Sequence, residues 1–136
     1  MEAISHLLPQ ISILLIEDEE VTLELLSIML SKKFPDIVLH TAINGRTGLE
    51  LFKTYTPDIV ITDINMPQMG GVQAAQAIRS IKPDSKIVAI TGKNEKSVLQ
   101  DSVGNGFEFD HFIMKPVVFQ DMFEAIEQCL NDISRQ

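Results

Sequence analysis

Five polar side chains of this sequence stand at or just beyond the end of a short apolar run: Glu17, Asp18, Asp63, Thr91 and Lys115. Their types suit phosphoryl chemistry if the fold brings them together. A carboxylate can act as a nucleophile toward phosphorus and form an acyl phosphate. Phosphoryl transfer otherwise needs positioning and neutralisation of the phosphoryl oxygens, which a cation, the Lys115 ammonium and the Thr91 hydroxyl would supply.

The three carboxylates in this set predict a bound cation. Two unit charges about 4 Å apart repel each other by about 1 kcal/mol in water and by about 4 kcal/mol at an effective dielectric constant near 20. Mg²⁺ suits the site because it prefers oxygen ligands and is usually held by one or two carboxylates with waters and a phosphate. The sequence has no cluster of His or Cys that would suit zinc. We therefore predict Mg²⁺ as the cofactor, with Mn²⁺ as a substitute.

Apolar runs of strand length alternate along the chain with stretches of helical period, which predicts an α/β domain. Five strands are predicted, at Ile11–Ile16, Ile37–Thr41, Asp58–Thr62, Lys86–Ile90 and His111–Met114. Five helices are predicted, at Glu19–Lys33, Asn44–Tyr55, Val72–Ile81, Asn94–Val103 and Val118–Asn131. This alternation favours a doubly wound parallel sheet, whose ligands bind at the carboxyl ends of the strands. The five polar residues should therefore meet at one rim.

The first predicted helix is indicated by apolar residues at helical spacing, namely Val21, Leu25, Ile28 and Met29. The last predicted helix should pack through a similar stripe that includes Met122 and Ile126. Cys129 lies close to that stripe and is expected to be an unreactive buried thiol.

Composition limits the remaining possibilities. The chain has 136 residues, which suits one domain over residues 11–131, with a short leader over 1–10 and a tail over 132–136. Its net charge of −8 repels phosphates, so we expect no direct binding of nucleic acid by this domain. No apolar run approaches the ~20 residues of a membrane span, and the N-terminus has no signal-peptide pattern. A single cysteine fits a reducing cytosol.

Four segments resemble the receiver domains of two-component response regulators, including chemotaxis regulators. They are Ile13–Asp18 (ILLIED), Thr62–Pro67 (TDINMP), Ala89–Gly92 (AITG) and Met114–Pro116 (MKP). The four occur in this order over most of the chain, from Ile11 to about Leu130. The resemblance implies a flavodoxin-like fold, in which a five-stranded parallel sheet of order 2-1-3-4-5 is covered by five helices.

The resemblance also implies a role for each residue of the predicted rim. Asp63 would be the phosphoacceptor and a metal ligand. Asp18 would bind Mg²⁺ directly, whereas Glu17, which stands where many relatives have Asp, is left open as a ligand acting through water. Asn65 would offer its backbone carbonyl to the metal.

Three residues near the last two strands complete the implied site. Thr91 would hydrogen-bond the phosphoryl group and act as a switch, and Lys115 would pair with Asp63 or its phosphoryl group. The Lys115–Pro116 bond is cis in similar domains. Phe112 matches the aromatic switch position, although it is not the Tyr that carries a hydroxyl. The stretch Gly104–Asp110 lacks the short Gly-Ala-Asp turn usual before the fifth strand.

The resemblance further implies partners. A sensor histidine kinase or a histidine phosphotransfer protein would donate the phosphoryl group in the cytoplasm. A downstream output domain or protein would bind the face made by the fourth predicted helix, the fifth strand and the last helix. A homodimer through the same helices is left open.

Two alternatives to a phosphoacceptor switch remain at this point. A phosphatase with an aspartyl nucleophile usually has a second Asp two residues on, but Asn65 occupies that position. The other alternative is a flavodoxin-like binding module that is not phosphorylated. No G-x-G-x-x-G loop follows the first strand, which argues against a dinucleotide site in such a module. For the switch, we expect no enzymatic turnover beyond self-phosphorylation from small donors and self-dephosphorylation.

Overall fold

The computed structural model describes residues 10–66, 69–92 and 107–134. Five strands are present: β1 (Ser12–Ile16), β2 (Val38–Ala42), β3 (Ile59–Asp63), β4 (Lys86–Thr91) and β5 (His111–Met114). The described residues contain four helices: α1 (Glu20–Lys33), α2 (Gly45–Tyr55), α3 (Gly71–Ile81) and α4 (Phe119–Ser134). Five helices were predicted, and the one at Asn94–Val103 lies outside the described residues.

All strand pairs in the sheet are parallel, and the order is β2-β1-β3-β4-β5, as predicted. The register aligns the carboxyl ends of the strands. Ile16 of β1 pairs with Thr62 of β3, Asp63 pairs with Ile90 of β4, and Thr91 pairs with Met114 of β5. The polar residues that end or follow these strands therefore lie along one rim.

The central strands are almost fully buried because helices cover both faces of the sheet, and alternate residues of a strand point to opposite faces. Ile13 and Leu15 of β1 pack with α1 and α4, whereas Leu14 and Ile16 pack with α2 and α3. The run of consecutive apolar residues that predicted a doubly covered strand is therefore explained by two separate hydrophobic layers.

The helix predicted from Val21, Leu25, Ile28 and Met29 is present, but these are not the residues that it buries. Leu26 and Leu30 are the buried residues of this helix, whereas Val21, Leu25 and Ile28 are 75%, 48% and 46% exposed. The helix carries large apolar side chains on more than one side, so its periodicity alone could not choose which side faces the sheet. Leu26 and Leu30 are the residues of α1 that pack with the strands and with α4.

The last helix continues further than predicted. α4 ends at Ser134, so residues 132–134 belong to the helix rather than to a tail. Met122 and Ile126 are fully buried, as expected. Cys129 is also buried, and its burial raises the pKa of the thiol to about 12, which keeps it protonated and unreactive at neutral pH. Within the described parts of the chain, no helix combines the length and apolar character needed to cross a bilayer.

Candidate functional site

Three carboxylates meet where β1 and β3 end. Glu17, Asp18 and Asp63 each place one carboxylate oxygen within 4.8 Å of the others. Glu17 and Asp63 are buried, whereas Asp18 is exposed. β1 and β3 are neighbouring parallel strands, and their register places their carboxyl ends side by side. Glu17 and Asp63, 46 positions apart in sequence, therefore come together.

Lys115 brings a positive charge to the same place from β5. Its Nζ donates to Asp63 Oδ1 at 3.0 Å, and the side chain of Asp63 is only 5% exposed. The backbone N–H of Asn65 donates to the same oxygen at 3.0 Å. The peptide bond between Lys115 and Pro116 is cis, as the resemblance implied. Asp63 is thus held by an ammonium and an amide while it faces two other carboxylates.

The carboxyl of Glu17 has a raised pKa. Burial is the main cause, the charges of Asp63 and Asp18 also raise it, the backbone N–H of Glu19 lowers it, and together they move the pKa from 4.5 to about 7. That N–H donates to Glu17 Oε2 at 3.0 Å. Burial and the neighbouring carboxylates therefore both disfavour the charged form of Glu17, and a cation at the rim would favour it.

The donor set fits a magnesium ion. Mg²⁺ binds oxygen at 2.0–2.1 Å in an octahedron, so opposite ligands stand about 4.2 Å apart. The carboxylate oxygens of the cluster, all within 4.8 Å of one another, lie near such a separation. Asn65 lies next to this cluster, since its N–H binds Asp63, and its backbone carbonyl was the fourth protein ligand predicted.

Thr91 ends β4, the strand between those that carry Asp63 and Lys115. It is buried, and its hydroxyl donates to the carbonyl of Gly92 at 3.4 Å, a long and weak contact. The backbone N–H of Lys115 donates to the Thr91 carbonyl at 2.8 Å, which fixes the two strand ends against each other. The structure therefore places Thr91 on the predicted rim.

Phe112 lies on β5 with half of its surface exposed. Its ring contacts the edge of Phe109, with centroids 5.9 Å apart. Phe109 in turn packs against Phe107 at 5.0 Å, and both of these rings are buried. The segment before β5, which lacks the usual short turn, is therefore an aromatic cluster that supports one side of Phe112.

Sequence reasoning missed the ion pair that holds this cluster. Arg79 of α3 donates to Asp110 Oδ2 at 2.8 Å and lies over the ring of Phe107, 5.2 Å from its centroid. Asp110 Oδ2 also accepts from the backbone N–H of Ile87 at 2.8 Å. The partners are 31 residues apart and no motif links them, so nothing in the sequence signals the contact.

The first residue of α3, Gly71, needs to be a glycine because it lies against the end of β3. A Cβ at this position would lie 2.1 Å from the carbonyl oxygen of Asp63. Such an approach is far inside van der Waals contact, so a side chain would push α3 away from the end of β3. Glycine here lets the helix begin directly beside Asp63.

Residues 13–127 match the family model described as the response regulator receiver domain. Chemotaxis protein CheY of Bacillus subtilis is 33% identical over 94 residues, which cover 69% of this chain and 77% of that protein. The probable C4-dicarboxylate response regulator DctR of Bacillus subtilis is 30% identical over 116 residues, or 85% of this chain, but the chain spans only 50% of that regulator.

Solved structures agree with these relatives. A response regulator receiver domain protein from Clostridium thermocellum matches with a TM-score of 0.82 at 27% identity, over 91% of this chain and 97% of that one. The chain belongs to the response regulator receiver domain family. It is a receiver domain of two-component response regulators. These matches give no support to the phosphatase or to the flavodoxin-like binding module.

Proposed function

We propose that Asp63 accepts a phosphoryl group, with Mg²⁺ bound by Asp18, Asp63 and the carbonyl of Asn65. The observation that carries the proposal is the ion pair between Lys115 and Asp63 at 3.0 Å, set among three clustered carboxylates. A phosphoaspartate formed here would carry about two negative charges in place of the one on the free carboxylate, at a position that already has a lysine and a cation site. Glu17, whose Oε2 accepts the N–H of Glu19, would contribute through water.

The donor is the phosphohistidine of a sensor kinase or a phosphotransfer protein. The P–N bond of the donor breaks as a P–O bond to the Asp63 carboxylate forms, and the imidazole keeps the electron pair and takes up a proton. Mg²⁺, when bound, neutralises phosphoryl oxygens and offsets the repulsion between them and the carboxylates. Lys115 neutralises charge from the opposite side, and the Thr91 hydroxyl donates to a phosphoryl oxygen.

The output of the domain is a change of surface rather than a released product. Movement of Thr91 toward the phosphoryl group would free space beside β5, into which Phe112 turns. Phosphorylation then shifts the population between two arrangements of β4 and β5, because it binds one of them better. An output domain or partner protein senses the arrangement. A cytoplasmic location follows from a donor kinase that consumes ATP.

Catalysis on external substrates is not part of this proposal. Water attacking the phosphoaspartate would return Asp63 and inorganic phosphate, so self-dephosphorylation limits the lifetime of the signal. Asn65 stands where an aspartyl phosphatase would place its acid–base residue, and a side-chain amide does not act as a general acid or base at neutral pH.

The test is incubation with a small phosphodonor such as acetyl phosphate and Mg²⁺, followed by intact-mass measurement. We expect one added phosphoryl group in the wild type, none in Asp63→Asn, and none when the divalent cation is chelated. Asp58→Asn is the matched control, since Asp58 precedes the opposite end of the same strand and also pairs with a lysine. Equal labelling of Asp63→Asn and the wild type would overturn the proposal.

A further inference from the structure

The segment that precedes β5 is held to α3 by one arginine. The guanidinium of Arg79, in the last turn of α3, donates to the Asp110 carboxylate at 2.8 Å and to the Glu108 carbonyl at 3.3 Å. It also lies over the ring of Phe107, 5.2 Å from the ring centroid. A single ion pair between partly exposed groups stabilises a protein only slightly. Three contacts with three residues of one short segment fix the path of that segment relative to α3.

The carboxylate that Arg79 binds is itself fixed to the sheet. Asp110 accepts the backbone N–H of Ile87 at 2.8 Å through the same Oδ2, and its own N–H donates to the Ile87 carbonyl at 2.9 Å. Helix α3 is fixed at its other end, because Gly71 lies against the end of β3 and its N–H donates to the Ile64 carbonyl at 3.0 Å. The ion pair of Arg79 and Asp110 therefore connects two anchored parts of the molecule, α3 and β4.

Three rings extend from this anchor to the predicted switch position. Phe107 and Phe109, both buried, meet edge to face with centroids 5.0 Å apart. Phe109 also contacts Phe112 at 5.9 Å, with the two ring planes at 63°. Aromatic pairs at such distances attract each other by more than the surface they bury. The half-exposed ring of Phe112 is therefore supported from one side by Phe109, which packs against the ring that Arg79 covers.

Phe109 and Thr91 lie toward opposite ends of β5. Phe109 precedes the strand, whereas Thr91 pairs with Met114, the last residue of the strand. A turn of the Phe112 ring toward Thr91 would carry it away from Phe109 and break their contact. The contact with Phe109 therefore favours the exposed orientation of Phe112 over the inward orientation that the proposed switch requires.

We propose that Arg79 is a positioning residue for the switch ring. It holds Phe107 and Phe109 in place and so keeps Phe112 exposed in the unphosphorylated chain. A contact between two rings changes an equilibrium by roughly twofold to tenfold, which biases the two orientations without preventing the change. The consequence for signalling rests on the proposed function, whereas the orientation of Phe112 can be measured without phosphorylation.

The first experiment measures the orientation of Phe112 by NMR in the full chain, without phosphodonor. Three-bond couplings give the rotamer populations about its Cα–Cβ bond, and relaxation dispersion of the ring detects a minor population. Arg79→Met removes the guanidinium and should lower the ratio of exposed to inward orientation by about threefold. Arg79→Lys keeps a charge near the Phe107 ring and should recover part of the loss. An unchanged ratio in Arg79→Met would overturn the proposal.

Lys82→Met is the matched control. Lys82 directly follows α3, and its side chain is 28% exposed against 27% for Arg79, but its ion pair is with Asp58 rather than with the aromatic segment. This variant should leave the orientation of Phe112 unchanged, and amide spectra verify the fold of each variant. An equal change in both variants would mean that Phe112 responds to any loss of charge at this end of α3, and the role of Arg79 would be refuted.

A double-mutant cycle tests whether the effect passes through the rings. Phe109→Leu replaces the ring that contacts Phe112 by an aliphatic side chain. Arg79→Met should have little further effect on the orientation of Phe112 in this background, because the contact that it weakens is already absent. An undiminished effect in the Phe109→Leu chain would contradict the proposed role of the two buried rings.

Binding of a phosphoryl mimic measures the consequence for the switch. The mimic is a beryllium fluoride complex added with Mg²⁺. Its apparent affinity should rise by the same factor of about three in Arg79→Met, because it scales with the population of the inward orientation. A changed orientation with an unchanged affinity would support the role of Arg79 and refute the coupling of Phe112 to Asp63 in the proposed function. An unchanged orientation would refute the role of Arg79 whatever the affinity.

Discussion

Strand β3 has an aspartate at each end, and the two carboxylates make similar contacts. Asp58, just before the strand, lies 3.4 Å from Lys82 Nζ and accepts from the backbone N–H of Ser12 at 3.0 Å. Asp63, at the other end, lies 3.0 Å from Lys115 Nζ and accepts a backbone N–H at the same distance. Each of the two carboxylates is therefore held by one lysine and one backbone N–H.

The surroundings of the two aspartates differ. The Asp58 side chain is 30% exposed, and its remaining described partner is the hydroxyl of Ser12, at 3.4 Å. The Asp63 side chain is 5% exposed and has Glu17 and Asp18 beside it. An ion pair of lysine and aspartate therefore occurs both at Asp58, as a structural contact, and at Asp63, in the candidate functional site. The excess of negative charge at the buried end favours binding of a cation, and a cation there would neutralise the oxygens of the phosphoryl group in the proposed reaction.

The largest predicted difference between the two ends concerns their lysines. Lys115→Met should lower the rate of phosphorylation by acetyl phosphate by about a hundredfold or more, the usual effect of losing a group that neutralises a transition state. Lys82→Met, the matched change at the other end, should leave the rate unchanged. Intact-mass time courses measure both rates. Equal rates in the two variants would remove Lys115 from the mechanism.

The second prediction concerns pH and the excess charge. The folded pKa of Glu17, about 7, exceeds its ordinary value of 4.5, so between these pH values the native chain holds more protons than the unfolded chain. The stability contributed by Glu17 is therefore complete below pH 4.5 and declines as the pH rises to 7. The full change is on the order of 3 kcal/mol, from about 1.4 kcal/mol per pKa unit.

Urea unfolding of the wild type and Glu17→Gln in a chelating buffer tests this dependence, since other carboxylates titrate equally in both. The stability of the variant relative to the wild type should rise between pH 4.5 and 7. Saturating Mg²⁺ should reduce the trend, because a bound cation favours the charged carboxyl. A difference that stays constant with pH would show that Glu17 titrates normally.

The third prediction tests the cation directly. Asp18→Asn should weaken Mg²⁺ binding by about tenfold or more, as expected for the loss of a charged group at a metal site. Asp36→Asn removes an equally exposed charge from the end of α1 and should have no effect. Calorimetric titration with Mg²⁺, or Mn²⁺ detected by its paramagnetism, measures the affinities. Unchanged binding in Asp18→Asn would mean that the acids hold no metal together.

The position of the candidate site at one rim of the sheet could be predicted from sequence because it depends only on the topology of the sheet. Once the strands are parallel, every polar residue that follows one must lie at the same edge, whatever the loops do. The exact strand ends were less predictable. Asp63 is the last residue of β3, one position later than expected, because its backbone pairs with Ile90. Ladder pairing, and not side-chain type, sets that boundary.

Other features depended on contacts that no local pattern encodes. The sequence of α1 allowed more than one buried side, and only the tertiary packing of Leu26 and Leu30 chose between them. The pairing of Arg79 with Asp110 joins a helix to a distant segment.

The smallest prediction returns to the structural end of β3. Lys82→Met should lower the free energy of unfolding by only about 0.5 kcal/mol, because both partners of its ion pair are partly exposed and solvent screens them. The loss should shrink further in 1 M salt, where the screening length is about 3 Å. Urea unfolding at two salt concentrations measures it. A loss of several kcal/mol that persists in salt would mean that Asp58 shares the uncompensated character of Asp63, and the contrast between the two ends would then lie in their metal ligands alone.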